Sequence, residues 1–251
     1  MLTKKQISEI RKLHLKKHRD EMGLFLVEGT KSVSDLIRSP LETVALFATE
    51  AWLSSHPLPK QVEGVCISDK ELERISCLQT PQEVLAVVKT PVFSTADLLK
   101  QQPILVLDGI RDPGNLGTII RTADWFGFRQ IVCSKDTVEF TNPKVIQATM
   151  GSFTRVKVMY ADLCDFLKKE DKRRIFGTFM QGKAIGETEF AQSDILVIGN
   201  EGHGISPAVE ALVSQKITIP AGVQTGERAE SLNAALSTAI VLYQFKEKVK
   251  L

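Results

Sequence analysis

The sequence predicts a two-domain α/β protein: a smaller α/β unit over residues 1–95 and a larger domain over 103–251 built on a parallel sheet. Three observations carry this. From Ile104 onward, near-continuous apolar segments alternate with helical patterns, as in a sheet covered on both faces by helices. Residues 90–103, T-P-V-F-S-T-A-D-L-L-K-Q-Q-P, hold a proline near each end and no strong strand, which suits a linker with a short helical turn inside. The 251 residues are enough for one large domain or two small ones, each with its own core.

The elements follow in order. Residues 3–19 read as a helix with Ile7, Ile10 and Leu13 or Leu15 toward one side. G-L-F-L-V over 23–27 reads as a buried strand, and E-G-T-K-S-V-S-D-L-I opens a short helix. Strands are expected at 44–48, 65–67 and 84–88; between the last two, S-D-K-E is a capping box that starts a helix running to Ile75. In the second domain, strands are expected at 104–107, 130–133, 155–159, 174–179, 195–198 and 216–219, and helices at 116–126, 143–150, 162–169, 207–212 and 230–247.

Hydrophobic residues at 43% and charged residues at 25% are those of an ordinary soluble domain. The sequence has no apolar run long enough for a membrane span, and M-L-T-K-K-Q-I-S-E-I has no apolar signal core, so a cytoplasmic protein is expected. Cys66, Cys77, Cys133 and Cys164 are scattered without a C-x-x-C pair and read as reduced core thiols. His14 and His18 have i, i+4 spacing, but L-K-K between them lacks the glutamate of the zinc motif, so no metal is expected. Residues 1–20 carry seven cations against two carboxylates, a net +5 in a chain of net +2. This basic arm, with Lys12, Lys16 and Arg19, suits either a phosphate backbone or a solvated helix face.

Ligands of parallel sheets bind outside the carboxyl ends of the strands. Three such ends lead into glycine-rich loops: D-G-I-R-D-P-G-N-L-G after Leu107, G-N-E-G-H-G-I-S-P after Ile198, and P-A-G-V-Q-T-G-E-R-A-E-S-L-N after Ile219. None matches G-x-G-x-x-G or the phosphate loop of nucleotide triphosphatases. Read singly, Asn115 and Ser231 are helix caps, Asn233 lies in a first turn, and Arg121 and Glu201 are a surface cation and its ion-pair partner. Read together, they outline a ligand site.

The runs D-P-G-N-L-G-T-I-I-R-T-A, I-G-N-E-G-H-G-I-S, and I-P followed by A-E-S-L-N-A-A-L-S-T-A-I resemble the three motifs of the SpoU (TrmH) family, RNA ribose 2′-O-methyltransferases of the SPOUT superfamily. K-H-R-D-E-M-G-L-F-L-V-E-G-T-K-S-V is similar to the RNA substrate-binding domain that precedes the catalytic domain in many members. The resemblance implies a C-terminal trefoil knot, S-adenosylmethionine as cofactor and methyl donor, RNA (ribosomal rather than transfer) as partner, and a homodimer to which the last helix contributes. It places Arg121, Asn115, Glu201, Ser231 and Asn233 in catalysis, and Gly199, Asn200, Gly202, Ile219, Pro220 and Leu232 at the donor. Arginine is too weak an acid to serve as a base, so Arg121 is expected to grip the target phosphate and stabilise developing charge. Glu201 is expected to orient Arg121 or a loop, and the proton acceptor is left open. The loop over 220–231 is longer than in many members. A nucleotide-dependent metabolic enzyme would want a G-x-G-x-x-G turn after Leu107, which is absent; a non-catalytic RNA-binding protein would explain the basic arm but not the motif residues.

Overall fold

A computed structural model describes residues 1–222 and 230–249. The chain forms two compact units, Met1–Pro91 with Glu139–Thr154 and Val92–Val138 with Arg155–Leu251.

The first unit runs α1 (Lys4–Lys12), α2 (Lys16–Met22), β1 (Leu24–Glu28), α3 (Thr30–Leu36), β2 (Thr43–Ala48), α4 (Glu50–Ser55), β3 (Gly64–Cys66), α5 (Asp69–Ile75) and β4 (Val84–Lys89). Its sheet has the order β1-β4-β2-β3, with β4 antiparallel to both neighbours and β3 parallel to β2. Reciprocal capping boxes, Thr3 with Gln6 and Ser68 with Glu71, start α1 and α5. Ile7, Ile10 and Leu13 join Leu26, Phe47, Leu72, Ile75 and Leu85 in one core.

The single helix expected over 3–19 is broken at residues 13–15. The guanidinium of Arg19 donates to the carbonyls of Leu13 (2.9 Å) and His14 (3.0 Å), and the His14 ring meets the Ile75 carbonyl at 2.9 Å. Backbone groups left over at the break thus have partners. Cys66 is also not a core thiol: it is exposed on edge strand β3. Cys133 is buried, which pushes its thiol up, and Cys77 is pushed up to about 12 by burial and the neighbouring Glu28 carboxylate.

The second unit carries β5 (Ile104–Asp108), α6 (Pro113–Trp125) and β6 (Gln130–Ser134); after α7 (Pro143–Thr149) come β7 (Lys157–Ala161), α8 (Leu163–Lys169), β8 (Ile175–Ala184), β9 (Ile195–Gly199), α9 (Pro207–Glu210), β10 (Gln215–Thr218) and α10 (Ala234–Lys248). Its six strands are all parallel in the order β10-β8-β9-β5-β6-β7. Val106, Val132, Met159 and Val197 pack with Leu163, Phe166, Leu167 and Val209 of α8 and α9. Helices α6 and α10 pack together, and the Phe128 and Phe245 rings meet at 5.0 Å. Among the described residues no helix is long and apolar enough to cross a membrane.

Helix α7, expected in the second domain, packs in the first compact unit. Phe140 and Phe153, on either side of it, meet the Phe25 ring of β1 tilted and edge-on at 5.8 and 6.2 Å, and Glu139 pairs with Arg19 at 2.6 Å. The last helix starts at Ala234 rather than residue 230, because Asn233 caps it: its Oδ1 accepts from Ala235 N–H at 2.9 Å and Leu236 N–H at 3.3 Å.

Candidate active site

The polar loops converge at the carboxyl ends of β5, β9 and β10, all within the second unit. Beyond Asp108 the chain turns at Gly109, whose φ of +72° lies in the left-handed region that glycine tolerates. Gly109 N–H donates to Ser134 Oγ at 2.9 Å, and its carbonyl accepts from Asn200 Nδ2 at 2.8 Å. Pro113 opens α6, and the Asp112 side chain caps it by accepting Asn115 N–H at 2.8 Å. Asn115 is therefore in the first turn, not at the cap, and its amide is left for other partners.

In the loop after β9, Asn200 is committed to architecture. Besides bonding Gly109, its Oδ1 accepts from the N–H groups of Gly202 (2.9 Å) and His203 (3.2 Å). Asn200 and Gly204 also exchange backbone hydrogen bonds of 3.0 and 2.8 Å. The fold leaves no room for a side chain at Gly199, where a Cβ would stand 2.2 Å from the Gly204 carbonyl carbon. At Gly204, by contrast, a Cβ would meet nothing within 4 Å, and its φ of +69° rather than crowding is what favours glycine there.

The three loops meet in one hydrogen-bonded chain of side chains. Asn233 Nδ2 donates to Asn115 Oδ1 at 3.0 Å, Asn115 Nδ2 donates to Glu201 Oε1, and Ser231 Oγ donates to the Glu201 carbonyl at 3.5 Å. Four of the five expected catalytic residues are thus brought together, though not in the expected pairing. Glu201 holds Asn115 rather than Arg121. Arg121 lies six residues beyond Asn115, about 9 Å along the α6 axis and roughly 120° around it. It is exposed and has no hydrogen-bond or ion-pair partner among the described residues. It shares the exposed stripe of α6 with Gly114, Thr118 and Trp125.

Of the expected donor residues, Ile219 is half-buried while Gly202, Pro220 and Leu232 are exposed. Ile219, Pro220 and Leu232 offer apolar surface, which fits the apolar slot an adenosyl group takes. The greater length of the 220–231 loop falls mostly on residues 223–229, outside the described residues.

The sequence reading missed one neighbouring segment. Strand β8 runs on to Ala184, and its pairing with β10 jumps from Gly177 opposite Lys216 to Lys183 opposite Ile217, so residues 178–182 bulge out beside β10. Thr218 Oγ1 donates to the Met180 carbonyl at 3.2 Å, and a Cβ on Gly182 would stand 2.7 Å from the Lys216 carbonyl oxygen. The two glycines of G-T-F-M-Q-G, five residues apart, were the available signal.

The basic arm is narrower than its sequence suggests. Lys12 pairs with Glu9 at 2.8 Å and Lys16 with Asp20 at 2.5 Å, both at the surface. Arg19 departs from the expectation of an RNA contact: it is 2% exposed and consumed by Glu139 and two backbone carbonyls.

Residues 102–243 match the family described as the SpoU rRNA methylase family, and residues 4–86 match the MRM3-like substrate binding domain. The chain is 29% identical to the 23S rRNA (guanosine(2553)-2′-O)-methyltransferase RlmP of Bacillus subtilis (strain 168), covering 96% of each chain. Among solved structures, one from Porphyromonas gingivalis assigned to the TrmH family of RNA methyltransferases is 35% identical, with a TM-score of 0.88 over 98% of this chain and 99% of that one. The AdoMet-bound rRNA methyltransferase of Sinorhizobium meliloti is 28% identical, with a TM-score of 0.84 over 98% of this chain and 96% of that one.

Proposed function

The chain belongs to the SpoU rRNA methylase family, and on that premise we propose that it transfers the methyl group of S-adenosylmethionine to a ribose 2′-hydroxyl of ribosomal RNA. The observation that carries this reading is the chain Asn233–Asn115–Glu201, which joins one residue from each of the three glycine-rich loops, with Arg121 exposed on the same helix as Asn115 and without a partner among the described residues.

The methyl donor supplies an activated sulfonium methyl, so the protein's work is alignment and removal of one proton. Gly202, with Ile219, Pro220 and Leu232, would hold the donor. Gly199 and Asn200 would shape that loop from behind. Arg121, free to form a two-pronged contact, would grip the phosphate next to the target ribose. Asn115 and Asn233 would hold the ribose edge, and Ser231 would brace the backbone of Glu201. The trefoil knot is part of this reading, formed where the segments after β9 and β10 wrap the donor.

The first unit is proposed as the RNA-binding domain and the second as the catalytic one, supported by the match of residues 4–86 to a substrate-binding family. Lys12 and Lys16 would meet phosphate. A homodimer in the cytoplasm completes the proposal. Its contact would be the apolar face of Trp125 (84% exposed), Leu236, Ile240 and Tyr243 on α6 and α10, which also carries Arg121.

The test is methyl transfer in vitro. Purified protein, labelled S-adenosylmethionine and ribosomal RNA from cells lacking the gene should yield a 2′-O-methylated nucleoside after digestion. Label on a base, or none in ribosomal RNA, would refute the proposal; label in transfer RNA alone would move the substrate class.

A further inference from the structure

We propose that Glu201 is the proton acceptor of the reaction, taking the proton of the ribose 2′-hydroxyl on its Oε2. The inference rests on the methyltransferase reading and adds a residue role to it.

A helix cap sets the direction of the hydrogen bonds around Glu201. Asn233 Oδ1 accepts two backbone N–H groups of α10, which fixes that end of its amide as the oxygen. Its Nδ2 must then face Asn115, and it meets Asn115 Oδ1 at 3.0 Å. The Asn115 amide is turned in consequence, so its Nδ2 faces Glu201 Oε1. Each donor in the chain points toward Glu201, and the carboxylate ends the chain as an acceptor. Among the described residues, Glu201 Oε2 accepts no hydrogen bond, while the side chain is only half-buried. A carboxylate held by one oxygen, with the other open beside the expected substrate edge, is a positioned base.

The other charged or titratable groups described on the three segments suit the role less well: Asp108 is buried and its Oδ2 accepts Ser206 N–H at 2.8 Å, and Arg111 pairs with Asp136. Asp112 caps α6 with its Oδ1. The guanidinium of Arg121 offers hydrogens and no acceptor, which suits it to binding rather than to taking a proton. The exposed His203 ring lies 3.4 Å from Asn200 Oδ1, in the loop's own turn. Glu230 is exposed ahead of Ser231, outside the hydrogen-bonded chain.

The step balances. The 2′-oxygen forms a bond to the methyl carbon as the carbon–sulfur bond breaks, and that electron pair stays on sulfur, which leaves as a neutral thioether. Positive charge builds on the hydroxyl oxygen as the new bond forms, so its proton becomes strongly acidic and passes to Glu201 Oε2, then to water. A carboxylate suffices because the proton leaves an oxygen that is becoming an oxonium.

Glu201→Gln separates this role from positioning, because the amide oxygen still accepts from Asn115 while the base is gone. With full-length protein, tritiated-methyl S-adenosylmethionine and ribosomal RNA from cells lacking the gene, the single-turnover rate of E201Q should fall by about a hundredfold or more. Donor binding by calorimetry should not change. Glu201→Asp, which keeps a carboxylate on a shorter stem, should turn over faster than E201Q, and H203A should turn over like wild type. E201Q turning over like wild type, E201D no faster than E201Q, or H203A falling as far as E201Q would each overturn the assignment. Should E201Q fail to fold, E201D falling below wild type while H203A does not decides the matter. A wild type that transfers no methyl group to RNA overturns the methyltransferase reading itself, a different result from an active E201Q.

Discussion

Replacing Arg121 by alanine should separate catalysis from stability. If Arg121 were the partner of Glu201, its loss would strand a carboxylate and cost several kcal/mol of folding energy. Glu201 is instead engaged by Asn115, and Arg121 projects from an exposed stripe with no partner among the described residues. Truncation should therefore change unfolding free energy by no more than about 0.5 kcal/mol, the usual range for a surface substitution. The same truncation removes the charged grip on the phosphate that aligns the target ribose. Misplacement of a reacting group costs roughly 10²-fold in rate, about 3 kcal/mol. Arg121→Lys keeps the charge but not the planar fork, and should fall between wild type and alanine. The assays are urea unfolding by circular dichroism, calorimetry with S-adenosylmethionine, and single-turnover transfer to ribosomal RNA. Unchanged stability and donor binding with collapsed turnover is the expected pattern. Turnover equal to wild type would refute the role of Arg121, and a stability loss of several kcal/mol would show that the residue is structural.

Glu139→Ala should destabilise the first unit by about 3–5 kcal/mol in urea unfolding, because it strands the buried Arg19 guanidinium; Glu139→Gln should cost less, and an unchanged midpoint would contradict the account. Gly199→Ala forces a methyl group against the Gly204–Ile205 backbone, so calorimetry should find donor binding weakened by about tenfold or more, and equal affinity would refute the loop assignment. Trp125→Glu puts a charge on the apolar face of α6 and should yield monomers by light scattering at micromolar protein; a dimer unaffected by it would place the contact elsewhere.

What was legible in the sequence was what is local. The strand at 104–108 and its neighbours announce themselves as apolar runs, and the Ser68–Glu71 capping box fixes the start of α5 within four residues. The clustering of Asn115, Glu201, Ser231 and Asn233 was readable from three loops at neighbouring strand ends, but their pairing was not. That Glu201 takes Asn115 depends on Asp112 capping α6 first, a choice among adjacent residues that each suit the cap. The return of Glu139–Thr154 to the first unit left no local mark, because Phe140 and Phe153 meet Phe25 more than a hundred residues away. Arg19 looked like its basic neighbours, and only the break at residues 13–15 made it a buried cation. The start of α10 was set too early because E-S-L continues the apolar spacing, whereas Asn233 stops it by capping.

The central claim, that this chain methylates a ribose 2′-hydroxyl in ribosomal RNA, is tested most directly by mapping 2′-O-methyl groups across cellular RNA with and without the protein. The account predicts that one ribosomal RNA position loses its 2′-O-methyl group when the gene is deleted, regains it with the wild-type chain, and does not with Arg121→Ala. An unchanged map, or a site restored equally by Arg121→Ala, would contradict it.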